Sequence, residues 1–215
     1  DFGGSWAASS ALPRVAALTG GFRHNVVPPE AQAEILGLKA ADVAPLCPGL
    51  EEATGARFTC TDAGQGVTVR CAGRNAHAAS PDDGINAIAA LLELLSRLPL
   101  ADCPSTRALL GMHALFPFGD NRGRALGIAQ SDAESGELTL NLALMTLTET
   151  GFTAKFDARF PVCATEETCK KACEASLSKY GISVTGDGEM TAVHMVPADS
   201  PLVKTLLSCY ETYTG

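Results

Sequence analysis

The side chains best suited to chemistry in this chain are a histidine, an asparagine and an arginine that stand far apart in sequence. His77 lies in GRNAHAASPDD, between a strand-like run at 67–71 and a helix start at Ser80-Pro81. A histidine in such a loop is either the surface end of a strand or a side chain held out toward a partner or substrate. Asn25 lies in GGFRHNVVPP, beside His24, with a glycine pair before it and prolines after it. Alone it reads as a turn former; its neutral amide is otherwise a hydrogen-bonding group at the end of an extended segment. Arg159, in FDARFPV, stands among Phe156, Asp157 and Phe160. It reads as a surface charge beside Asp157 or as a planar fork offered to a carboxylate.

Other chemistry-bearing residues carry less. His113, in LLGMHALF, sits in an apolar run and reads as a core or interface histidine. Glu51-Glu52 resembles the paired glutamates of a metallohydrolase, but nothing before it reads as a strand that would deliver the pair to a cleft. No His-x-Asp, His-x-x-x-His or Cys-x-x-Cys pattern occurs, so a catalytic or structural metal has no ligand set here. Gly-x-Ser-x-Gly and phosphate-binding glycine loops are also missing. The eight cysteines, at 47, 60, 71, 103, 163, 169, 173 and 209, read as free core thiols of a reducing compartment. No cysteine sits at an evident helix N-terminus beside a histidine, which argues against a small cysteine hydrolase.

The elements that must position these residues form a unit written twice: strand, strand, helix, strand, strand, helix. In the second copy Leu138, Leu140, Leu142 and Leu144 alternate as in a half-buried strand, and 152–160 alternates again after a turn at 149–151. Thr165 caps a helix whose inner face is Cys169, Ala172, Cys173, Leu177 and Tyr180, closed by Gly181. Short strands follow at 182–184 and 190–196, around 186–188, and a last helix after Ser200-Pro201 carries Leu202, Leu206 and Cys209. In the first copy, 12–19 and 22–27 read as extended chain around Gly20-Gly21. Residues 31–38 have helix propensity but align with the 152–160 strand, so a strand is expected. A poor helix with Pro45 and Pro48 ends at Gly55, and a hairpin at 57–61 and 67–72 follows. A helix over 81–98 presents Ile85, Ile88, Leu92, Leu95 and Leu98 on one face, with Ser80 as N-cap and Asp82 and Asp83 in the first turn. His77 and His194 then occupy matching places.

The expected fold class is α+β, a duplicated ferredoxin-like two-layer sandwich with helices on one face of an antiparallel sheet. One lobe spans 12–100 and the other 126–215, joined by a helix-then-loop bridge at 101–125; residues 1–11 show no pattern. A net charge of −8 without a Lys/Arg cluster argues against nucleic-acid and anionic-membrane partners. No apolar run reaches membrane-span length and DFGGSW has no signal-peptide layout, so a cytoplasmic protein is expected.

The chain resembles the lid domain inserted into dinuclear zinc dipeptidases of the peptidase V type, relatives of carboxypeptidase G2 and the aminoacylases. The matching segments are GGFRHNVVPPEAQAEI (20–35), GRNAHAASPDDGINAIAALLELL (73–95), ALGIAQSDAESGELTLNLALM (125–145), FDARFPV (156–162) and SPLVKTLLSCYETYTG (200–215). They run in order over nearly the whole chain. The first-copy helix with its two prolines and residues 1–11 depart from the family's pattern. The resemblance implies a two-lobed lid excised from a protein whose catalytic domain carries both zinc ions and the glutamate base. It implies that Asn25 and His77 hold the substrate carbonyl and the developing oxyanion, and that Arg159 binds the substrate's terminal carboxylate. The implied partners are that catalytic domain and a dipeptide, and the lid alone is expected to be inactive and to bind no zinc. The rival expectation is a ferredoxin-like binding or dimerisation module without a catalytic role.

Overall fold

The structure is a computed structural model that describes residues 1–186, 191 and 196–214. Alternation of apolar and polar residues produces long strands in both copies of the repeat. In the first copy these are β2 (Arg14–Gly20) and β3 (Glu30–Leu36), then β4 (Arg57–Ala63) and β5 (Gly66–Ala72). In the second they are β8 (Thr139–Thr148) and β9 (Gly151–Arg159), then the short β10 (Ser183–Val184). With β1 (Phe2–Ser5) they form a single eight-stranded sheet in the order β10-β1-β9-β8-β2-β3-β5-β4, antiparallel throughout. The first strands of the two copies, β2 and β8, pair at its centre, Leu18 opposite Leu147 and Gly20 opposite Met145.

One face of the sheet is apolar. Val15, Leu18, Ala33, Ile35, Val67, Val69, Met145 and Leu147 are buried there beneath helices. α1 (Ala40–Val43), a 3-10 turn and α2 (Cys47–Thr54) cover β4, and α2 ends at Gly55 in the left-handed conformation. α3 (Ala87–Leu95) lies on β3, β5 and β8, with Ile88, Leu91, Leu92 and Leu95 wholly buried. Each such side chain contributes about 1.5–3 kcal/mol by leaving water. α4 (Pro104–Leu115) packs on α3 and β2, and α5 (Ala172–Ser178), entered through a π-helical turn, packs on β10. The other face carries a polar row in register, Thr153, Thr146, Thr19, Gln32, Arg70 and Thr59, one from each of β9, β8, β2, β3, β5 and β4. A small hairpin, β6 (Ser131–Asp132) and β7 (Gly136–Glu137), and α6 (Pro201–Thr214) complete the described chain.

The repeat over propensity holds at 31–36, which lie in β3, while Gly37 and Leu38 fall beyond the strand. Several expectations fail, and one segment that carried none becomes a strand. The helix expected over 81–98 begins with a separate 3-10 turn at Pro81–Asp83, and α3 starts only at Ala87. Extended Gly84 lets Ile85 pair with Arg74, and the Asn86 side chain, not that of Ser80, caps α3 by accepting from the Ala89 N–H. Residues 22–27 are not a strand. Gly21 has φ +78°, and a Cβ there would lie 1.9 Å from the Ala143 carbonyl oxygen of β8, so the chain can turn out of the sheet here only as glycine. Residues 1–11, which showed no pattern, supply β1, whose Phe2 is 1% exposed. Tyr180 is exposed rather than inward, and of the cysteines Cys163 and Cys209 are also exposed. The expected strand at 190–196, with His194, and the turn at 186–188 lie largely outside the described residues.

Candidate functional site

The loop after β2 and the loop after β5 leave the same end of the sheet and pair with each other. The Gly73 N–H donates to the Pro29 carbonyl (2.7 Å), Val27 to Ala76 (2.9 Å) and Ala78 to Asn25 (3.0 Å). Prolines 28 and 29 have no N–H to offer, so this segment contributes carbonyls while its neighbours contribute donors. Gly73 is required because a Cβ there would sit 2.1 Å from the Ile85 carbonyl oxygen. Asn25, in a turn, and His77 are thereby held side by side on the paired loops, with Val26 opposite His77.

The His77 ring is exposed, and its Nδ1 accepts the Ala79 N–H at 3.1 Å. An accepting Nδ1 is unprotonated, so the neutral ring carries its proton on Nε2, which then serves as a hydrogen-bond donor. Half-buried Asn25 makes no side-chain hydrogen bond among the described residues. Arg159 ends β9 directly across from Thr139, whose hydroxyl donates to the Ala78 carbonyl at 3.5 Å. All three expected site residues therefore meet at one end of the sheet, two on the paired loops and one on the neighbouring hairpin of the second copy. Arg159 is already engaged: its Nε and Nη2 donate to the Asp157 carboxylate at 2.8 and 2.9 Å.

Sequence reasoning missed the residues that hold these groups. Asn141, 2% exposed, donates from Nδ2 to the Val26 carbonyl (3.0 Å) and accepts from Asn86 Nδ2 (3.0 Å). Asn86 also donates to the Leu142 carbonyl (2.8 Å). An asparagine at a strand position is the one available signal for Asn141, since such a residue is disfavoured in a strand unless it is used. Behind His77, the Ser80 N–H donates to the His77 carbonyl, and Asp82 is gripped by Asn121 and Arg122. Those bonds hold the Asp82 carboxyl below its usual range. Its role is to tie the loop to the bridge segment, not to serve a helix dipole.

The remaining polar candidates lie elsewhere. His113 reaches from α4 to Glu93 on α3 (2.6 Å), as an interface histidine would. Glu51 accepts from the Phe58 N–H and pairs with Arg57. Cys103 stands at the N-cap position of α4, but it is 2% exposed and its thiol contacts Ser105 and Thr106, not a histidine. Burial pushes the Cys60 and Cys71 thiols up to about 12. Among the described residues no group of three or more His, Cys, Asp or Glu side chains could hold a metal ion. No described helix is long and apolar enough to cross a membrane.

The chain is similar to known proteins. The sequence profile of the peptidase dimerisation domain matches residues 64–184, from the turn before β5 to β10. A Bacillus subtilis (strain 168) protein described as "Putative dipeptidase YtjP" is 33% identical over 196 residues, which cover 91% of this chain. The chain spans 41% of that relative's length. The chain belongs to the M20 peptidase dimerisation domain family.

Proposed function

We propose that this chain is the lid of a zinc dipeptidase, closing over a dipeptide held by a separate catalytic domain. In this reading His77 Nε2–H and the Asn25 amide hold the scissile carbonyl and the oxyanion that develops on it. Arg159 binds the free terminal carboxylate. The observation that carries the reading is the gathering of Asn25, His77 and Arg159 at one end of the sheet, with a neutral donor tautomer of His77 set by the Ala79 N–H. Donors fixed before the reaction need no reorganisation when charge develops, which is why such groups contribute to rate. A closed lid also removes water from around the reacting groups and so strengthens those hydrogen bonds. The metal and the general base belong to the catalytic domain in this reading, and the chain alone neither binds a zinc pair nor cleaves peptides. Its free, mostly buried thiols suit a reducing, cytoplasmic setting.

The test is a substrate panel on the full-length protein: unblocked dipeptides, the same dipeptides with amidated C-termini, and unblocked longer peptides. A kcat/KM for free dipeptides well above that for amidated dipeptides and longer peptides is expected. Indifference to amidation would remove Arg159 from the site, and no hydrolysis of any dipeptide would overturn the reading. A non-catalytic dimerisation module is the second reading, favoured by the edge of β4, which among the described residues pairs only with β5. Self-association of a full-length protein that is inert toward peptides would establish it.

A further inference from the structure

Asn141 and Asp157 face one another across the β8–β9 ladder. Neither belongs to the set that would touch substrate, yet each holds one part of it. Asn141 grips the Val26 carbonyl, next to Asn25. The Asp157 carboxylate, with its side chain 9% exposed, grips the Arg159 guanidinium through Nε and Nη2. One rung of the sheet therefore anchors the loop bearing the carbonyl-binding groups on one strand and the carboxylate-binding group on the next. Asn141 is buried and must stay paired, whereas the Asp157 carboxylate, nearly covered, holds a guanidinium that is half exposed. A guanidinium has five N–H donors, and the Asp157 contacts leave Nη1 and its two N–H groups for an incoming carboxylate.

We propose that the Asn141–Asp157 rung is a positioning pair that sets the length of the substrate, by fixing the distance from the Asn25–His77 donors to Arg159. This deepens the dipeptidase-lid reading and rests on it. Each added residue carries an extended peptide's terminal carboxylate about 3.3–3.6 Å farther out. Arg159, paired through Nε and Nη2 with Asp157 on its own strand, is held back from following that step. An arginine carried on an unanchored loop could follow it.

The experiment compares alanyl-leucine with alanyl-leucyl-leucine on the full-length protein, as wild type and as Asp157→Asn, Asp157→Ala and Asn141→Ala. Asp157→Asn preserves side-chain volume and so stands in if Asp157→Ala fails to fold. Losing a hydrogen bond to a charged group implies a change of about tenfold or more. The dipeptide-to-tripeptide ratio of kcat/KM should fall by about that factor in the Asp157 variants. The loss should appear chiefly in the dipeptide KM. A merely structural defect would lower both substrates together and leave the ratio alone, and that result overturns the proposal. A second readout is independent of turnover: the Arg159 Nε–H resonance should move in the Asp157 variants, and amide exchange at Val27 and Ala78 should quicken in Asn141→Ala. If neither changes, the rung positions nothing. A wild-type protein inert toward both peptides overturns the lid reading, and the length-setting role with it. Cleavage of dipeptides with an unchanged ratio in every variant overturns the length-setting role alone.

Discussion

The two halves of the sheet follow one pattern and complete it differently. In the first copy, strands β2, β3, β5 and β4 all come from consecutive sequence, and α3 is sealed between them and α4. In the second, the place beside β9 that corresponds to β5 is filled by β1, from the far end of the chain. The helix in the position of α3 is α6, and its Leu202, Leu206, Leu207, Tyr210 and Tyr213 are all exposed. The first half is thus closed by local contacts, while the second depends on a strand some 150 residues away, Gly3 opposite Thr153. That difference matches the division of the site: the locally closed half presents the Asn25 and His77 loops, and the other presents Arg159. The seam between them is one short strand pair extended by the Asn86–Asn141 amides.

This contrast is open to direct attack by unfolding measurements on the chain. The largest effect should come from Phe2→Ala. Phe2 stacks on Phe116 at 5.7 Å between centroids and tilts against Phe156 at 5.8 Å, so its removal should cost about 3–5 kcal/mol in urea denaturation. A cost under about 1 kcal/mol would mean that β1 is not what completes the second half. Next is the seam: Gly21→Ala combines a left-handed φ with a carbonyl 1.9 Å from the new Cβ, and about 1–3 kcal/mol should be lost in thermal melts. A smaller contribution comes from Glu93, which joins α3 to α4. Desolvation opposes its ionisation, but hydrogen bonds from Arg97 and His113 outweigh it and hold the carboxyl below 4.5. Its stabilisation is therefore present above the unfolded value and lost as pH falls through the lower folded one. Glu93→Gln should flatten the decline of stability below about pH 4.5 by roughly 0.2–1 kcal/mol. The smallest effect is expected at α6, where Leu206→Ala should stay within about 0.5 kcal/mol, against roughly 2–5 for Leu91→Ala in α3. Equal costs for the two leucines would erase the difference between the halves.

Much of the fold was legible because hydrophobic alternation and glycine helix ends are local signals. β8, β9, the α2 stop at Gly55 and the Gly181 turn follow from them, and the internal repeat rescued β3 from its helical propensity. What was not legible depends on distant partners. Phe2 sits in a segment with no pattern of its own and is made a strand residue by β9 and β10. Asn86 displaced Ser80 as the cap because a chain crossing beside it, Arg74 against Ile85, extends residues 84–85. At the site, the types and spacing of Asn25, His77 and Arg159 left bland readings open for each. Their candidacy came from resemblance, and only the loop pairing and the β8–β9 register bring them to one place. Asn141 and Asp157 gave no local signal of what they hold.

The central claim is that His77 acts on the transition state and not on metal or on structure. Steady-state kinetics with metal analysis on the full-length protein carrying His77→Ala test it most directly. Loss of one oxyanion donor should lower kcat by about 10²–10³-fold, roughly 2.7–4 kcal/mol, with KM moving less and zinc content unchanged. A near-wild-type kcat, or loss of zinc together with activity, would contradict the account and leave His77 as the exposed end of a strand.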